Sequence, residues 1–124
     1  MIGLTRIILR LGRNPDAGFP DGHDDYGYVI QAPLDVAGKL DAALWRDKKE
    51  LCTVRRFHPH EAASDGWLRH RGDNWYFWYD EADEGPEEPL FKLGAKELRA
   101  GEYVTVREAD GDALTFRVAE ATHI

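Results

Sequence analysis

Trp67-Leu68-Arg69-His70-Arg71-Gly72-Asp73-Asn74-Trp75-Tyr76-Phe77-Trp78-Tyr79 sets two aromatic-rich runs on either side of a Gly-Asp dipeptide. Glycine at the first of two loop positions suits a type II′ hairpin turn, whose backbone twist matches that of the strands it joins. This turn pairs Arg71 with Asn74 and, further along, Trp67 with Trp78. Side chains alternate along a strand, so Leu68, His70, Trp75, Phe77 and Tyr79 share one face, and Trp67, Arg69, Arg71, Tyr76 and Trp78 share the other. Both faces are aromatic, and a sheet covered on one side hides only one of them. Two arrangements remain open. Either the hairpin is sandwiched and both faces are core, or Trp67, Arg69, Tyr76 and Trp78 form an exposed platform. On such a platform guanidinium and indole groups hold a nucleobase, a sugar or a partner side chain.

Working outward, β-type patterning dominates the chain. Strands are expected at Thr5 to Leu11, Tyr26 to Ala32, Thr53 to Phe57, Gly66 to Arg71, Trp75 to Asp80, Leu90 to Leu93, Tyr103 to Glu108 and Asp112 to Ala119, separated by Gly- or Pro-bearing turns. The last two form a hairpin with two possible registers. A two-residue Asp110-Gly111 turn would mix valine with threonine and arginine on one face. A three-residue Ala109-Asp110-Gly111 loop pairs Val106 with Leu114 and Val104 with Phe116, makes one face wholly apolar, and is preferred. A single helix is expected from Ala42 to Glu50, capped by Asp41, with Leu40, Leu44 and Leu51 as its buried stripe. The Gly-, Pro- and Asp-rich stretch from Asn14 to Gly22 is a loop that Phe19 pins to the core. The fold class is therefore mainly β: a small antiparallel barrel or strongly curved sheet with one short α-helix.

At 124 residues, the chain has the length of one domain, spanning 1–124. Its net charge of -7 opposes binding to phosphate backbones and anionic lipid by bulk charge, so neither nucleic acid nor a membrane is the expected partner. That charge is unevenly placed: 1–13 and 39–71 are net basic, whereas 14–38 and 72–91 are net acidic. The single cysteine, Cys52, cannot form an intramolecular bridge and suits a reducing compartment. With no targeting or spanning segment in view, the expected location is the cytoplasm.

Two constellations could carry chemistry. His58-Pro59-His60 places two imidazoles where both reach one metal if the backbone is extended, and His23 or His70 could complete a sphere for zinc or another divalent ion. His58-x-His60 followed by Asp65 resembles the first metal motif of cupins. It departs from that motif in having Asp for Glu, no upstream glycine and no second glycine-and-histidine motif. The bland reading is two solvated loop histidines. Cys52 is the other nucleophile to weigh, and beside Leu51 it reads as a small buried hydrophobe. The acidic run from Asp80 to Glu88 fails as a calcium loop because Ala82 stands where an oxygen ligand is needed, leaving a solubilising loop.

The expected role is thus a non-catalytic binding or interaction module presenting Trp67, Arg69, Tyr76 and Trp78 to a protein or small ligand, or to a two-fold partner in a homodimer. The alternative is a small metalloprotein or metal-dependent enzyme using His58 and His60 with His23 or His70. The chain also resembles a family of small bacterial proteins without an assigned function. The resemblance rests on Gly18-Phe19-Pro20, Tyr26-Gly27-Tyr28-Val29-Ile30, Cys52-Thr53-Val54-Arg55-Arg56-Phe57-His58-Pro59, Gly66-Trp67-Leu68, Phe91-Lys92-Leu93-Gly94 and Gly101-Glu102-Tyr103-Val104-Thr105-Val106. It spans most of the chain and implies no activity, cofactor or catalytic residue.

Overall fold

Period-two alternation sends Ile7, Leu9 and Leu11 inward from the first strand and Arg6 and Arg10 outward, and the same division repeats around a ring of strands. The computed structural model describes residues 4–72, 74–79, 88–90, 97–107 and 113–123. In chain order its elements are β1 (Leu4–Leu11), β2 (His23–Pro33), α1 (Ala42–Lys48), β3 (Thr53–His58), β4 (Glu61–Arg71), β5 (Asn74–Trp78), β6 (Glu88–Leu90), β7 (Tyr103–Arg107) and β8 (Ala113–His123). Every strand pairs antiparallel with its sequence neighbour, and β1 also pairs with β8, so the order closes on itself. Seven of these strands form a strongly curled sheet. The short β6 completes the ring, meeting β7 through the pair Leu90 and Val106. The mainly β fold with one short helix is therefore as the sequence indicates. No helix of the described residues is long and apolar enough to cross a membrane.

Both hairpin registers follow the sequence. Gly72 has a φ of 62°, a conformation that glycine adopts without a Cβ penalty, and Arg71 faces Asn74 while Trp67 faces Trp78. In the closing hairpin Val106 pairs with Leu114 and Val104 with Phe116, and all four are buried. The loop residues 109–111 that would make this turn lie outside the described residues. The barrel interior gathers Tyr28, Phe77, Phe116, Ile7, Leu9 and Leu68, all fully buried.

Several boundaries differ from expectation. β2 begins at His23, β4 at Glu61, and β8 runs on to His123, because each extends along a neighbouring strand whose backbone groups need partners. β5 ends at Trp78, and the expected 91–93 end of β6 lies outside the described residues. α1 stops at Lys48 and gives way to a tighter 3-10 turn over Lys49–Leu51, which rotates Leu51 out of the expected stripe and leaves it 49% exposed. Trp45 is instead the buried residue of the helix. Its indole N–H donates to the Leu68 carbonyl at 2.8 Å, which ties α1 to β4. Asp41 caps the helix as expected, its carboxylate accepting from the Ala43 and Leu44 N–H groups at 3.0 and 3.2 Å.

Candidate functional site

Because β4 and β5 pair in the expected register, Trp67, Arg69 and Arg71 alternate with the buried Leu68, while Tyr76 and Trp78 alternate with the buried Trp75 and Phe77. The predicted platform residues are thereby brought together on the outside of the barrel, and each of the four is half-buried. The Trp67 and Trp78 rings sit cross-strand with centroids 6.0 Å apart and tilted by 41°. Each arginine leans along the diagonal to the ring two residues beyond its direct partner, as long side chains do on a twisted pair. The Arg69 guanidinium carbon lies 4.4 Å from the Trp78 ring centroid, and that of Arg71 lies 4.9 Å from Tyr76. At Gly66 a side chain would strike the Trp78 carbonyl and the Tyr79 ring, so glycine is what lets β5 approach β4 closely here.

Trp67 stands as a ridge between two depressions. One, of about 400 Å³, runs over β2, β3 and β4 and is lined by Val29, Gln31, Thr53, Arg55 and Asp65 besides Trp67 itself. The other, of about 180 Å³, lies between Trp67 and Arg69 on β4 and Lys49 and Glu50 on the 3-10 turn. Arg55 and Asp65 form an ion pair of 3.4 Å at the rim, with both side chains well exposed. No carboxylate among the described residues pairs with Arg69.

Of the four histidines of the metal reading, the structure brings His58 and His60 together, with ring centroids 6.0 Å apart, and leaves His70 elsewhere. His58 lies beside Glu61 at one end of the β3–β4 pair, whereas His70 is nine residues further along β4, roughly 30 Å of extended chain. His70 stacks on Trp75 with centroids 4.3 Å apart and packs against Trp45 under the helix. His58 Nδ1 accepts the His60 backbone N–H at 3.0 Å, while Nε2 lies 3.6 Å from Glu61 Oε2, beyond hydrogen-bond distance. His23 Nδ1 accepts the Asp25 N–H at 3.1 Å. Among the described residues no three His, Cys, Asp or Glu side chains are grouped to hold a metal ion. Cys52 is fully buried with its Sγ 3.3 Å from the Lys48 carbonyl; burial, with a smaller contribution from Glu50, pushes its pKa up to about 11 and keeps it a thiol. The acidic run 80–87 lies outside the described residues.

One cluster escaped the sequence reading. Arg56 shares the inward face of β3 with Val54 and closes the barrel end opposite α1: its Nη2 donates to the Tyr26 hydroxyl at 3.2 Å and its Nη1 to Glu61 at 3.1 Å. Tyr26 packs on His58 and Phe19 with centroids 4.5 and 5.8 Å apart. The signal was present, since an arginine in phase with a buried valine has to find acceptors. With Nη1 and Nη2 both bonded within the fold, this cluster closes a barrel end, whereas Arg69 on the Trp67, Tyr76 and Trp78 face has no carboxylate partner among the described residues.

What the geometry defines is a small antiparallel barrel with an arginine-and-aromatic patch on its outer wall. No family model, curated protein or solved structure matches the chain.

Proposed function

We propose that this protein is a non-catalytic binding module of the cytoplasm that engages a protein or small ligand through Trp67, Arg69, Tyr76 and Trp78. The observation that carries the reading is the stacking of Arg69 on Trp78 outside the barrel, 4.4 Å from guanidinium to ring, with no carboxylate among the described residues to take its N–H donors. Folding has no need of three large rings on that side, because the interior is already filled from the opposite face of the same strands. A non-catalytic role agrees with the state of the one thiol, since Cys52 is buried and protonated. The buried, unbridged thiol also suits the reducing interior of a cell.

Iodide quenching tests the reading. In the monomer, iodide should reach part of the indole fluorescence, and the reachable part should vanish in a Trp67→Phe/Trp78→Phe variant, since Trp45 and Trp75 are buried. A ligand found by thermal-shift screening should lose its effect in Trp78→Ala. Protection from iodide with a dimer in sedimentation would make a second copy the partner. Protection in a monomer would make these rings core and end the proposal.

A further inference from the structure

The patch and the two depressions beside it carry Arg55, Arg69, Arg71 and Lys49 against Asp65 and Glu50, although the whole chain is net -7. The immediate surroundings of the aromatic patch are thus net positive, and three of these four cations are arginine. We infer that the partner of this face is an acidic polypeptide segment, with a carboxylate gripped by the Arg69 fork held on Trp78, an inference that rests on the binding-module reading above.

Three observations favour carboxylates over nucleobases. Two of the three outer rings already carry a guanidinium, Trp78 that of Arg69 at 4.4 Å and Tyr76 that of Arg71 at 4.9 Å, so a base stacking there would first have to displace it. Trp67 and Trp78 are tilted by 41° and do not offer successive parallel platforms. The depressions flanking Trp67, about 400 and 180 Å³, suit one or two side chains apiece. A guanidinium fixed on a ring has lost most of its rotamer freedom before it binds, and its planar fork matches a carboxylate in two parallel hydrogen bonds.

The test is fluorescence anisotropy at low salt with labelled oligo-glutamate, oligothymidylate and a neutral peptide as probes. Oligo-glutamate should bind best, and its affinity should fall as salt rises. Arg69→Gln should weaken it by about tenfold, the size of one lost charge-assisted contact, and Arg69→Lys should fail to restore it because the ammonium keeps the charge without the fork. Arg117→Gln on β8, a strand that pairs with β1 and β7 and not with β4 or β5, makes the same change in net charge away from the patch and should leave binding unchanged. Tighter binding of oligothymidylate, or equal binding of oligo-glutamate by wild type and Arg69→Gln, overturns the inference and leaves the module reading standing. If no probe binds while iodide still reaches Trp67 and Trp78, the inference alone falls; if iodide reaches neither in a protein that sediments as a monomer, both fall.

Discussion

The β4–β5 and β7–β8 hairpins are built to the same plan and differ on one side only. Inward, each packs a solid apolar face: Leu68, Trp75 and Phe77 in the first, Val104, Val106, Leu114 and Phe116 in the second. Outward, β7–β8 carries Thr105, Thr115 and Arg117 with a single ring among them, Tyr103, which stands 52% exposed beside Gly12. β4–β5 carries Trp67, Tyr76 and Trp78 in the equivalent positions, tied together by two stacked arginines. Barrel closure explains the inner faces of both hairpins and the outer face of only one. The rings on the outer wall of β4–β5 call for a reason beyond folding, and clustered exposed aromatics commonly mark binding surfaces.

The sharpest way to break the comparison is to truncate on both sides of the plain hairpin. Phe116 is fully buried, touching Tyr28 and Tyr26 with ring centroids 5.1 and 5.7 Å away. Phe116→Ala should destabilise by about 3–5 kcal/mol, as large-to-small changes in a packed core do, and Thr115→Ala by well under half of that. Denaturant midpoints measure both, and comparable losses would contradict the register that pairs Val104 with Phe116.

Applied to β4–β5, the same experiment distinguishes a wall from a patch. Phe77→Ala removes a fully buried ring and should cost about 3–5 kcal/mol. Trp78→Ala removes a half-buried one, whose loss water can fill, and should cost about 1–2 kcal/mol. Equal losses from the two would mean that the outer rings serve packing and would remove the contrast between the hairpins.

These inner and outer assignments were legible because strand alternation is a local property: once Gly72 sets the turn, every side chain from Trp67 to Trp78 has its face. Phe116 was placed in the same way, by asking which register leaves one face apolar. What could not be read was what lies across the barrel. Whether Trp67 and Trp78 were covered depended on how far the sheet curled, which no local pattern states. Trp45 outranked Leu51 because α1 broke at Lys48, where the final turn tightened, and because Leu68, His70 and Trp75 happened to lie beneath it. His58 and His60 looked like a chelating pair because their spacing was visible while the hydrogen bond from the His60 N–H to His58 Nδ1 was not. Arg56 was the missed opportunity, since its phase with Val54 already put it inside.

A smaller effect separates the closed interior from the open wall by pH. Burial raises the Cys52 pKa in the folded state from 9.0 to about 11. Since the unfolded chain ionises its thiol first, the stabilisation is fully present below pH 9 and is lost as pH rises from 9 towards 11. Two pH units at about 1.4 kcal/mol each set the upper bound of this loss at about 3 kcal/mol. Cys52→Ala should flatten that part of the stability curve relative to wild type, and a thiol reagent should label wild type only as fast as it opens. Rapid labelling of the native protein would place Cys52 on the open side of the comparison.

The smallest effect belongs to the rim of the patch. Arg55 and Asp65 are 3.4 Å apart but about two-thirds exposed, 60% and 70% by side chain. At that exposure water screens the pair and side-chain entropy offsets much of its attraction, so a double-mutant cycle with Arg55→Gln and Asp65→Asn should return a coupling of about 0.5 kcal/mol or less, vanishing in molar salt. Asp65→Asn alone should leave the fold intact and, by freeing the Arg55 fork, tighten oligo-glutamate binding by about twofold, the equivalent of a few tenths of a kcal/mol. That gain would set the wall apart from the interior, where removing a partner loosens the molecule. Weaker oligo-glutamate binding in Asp65→Asn would mean that Asp65 belongs to the recognition surface and that the net charge of the wall is not what selects the partner.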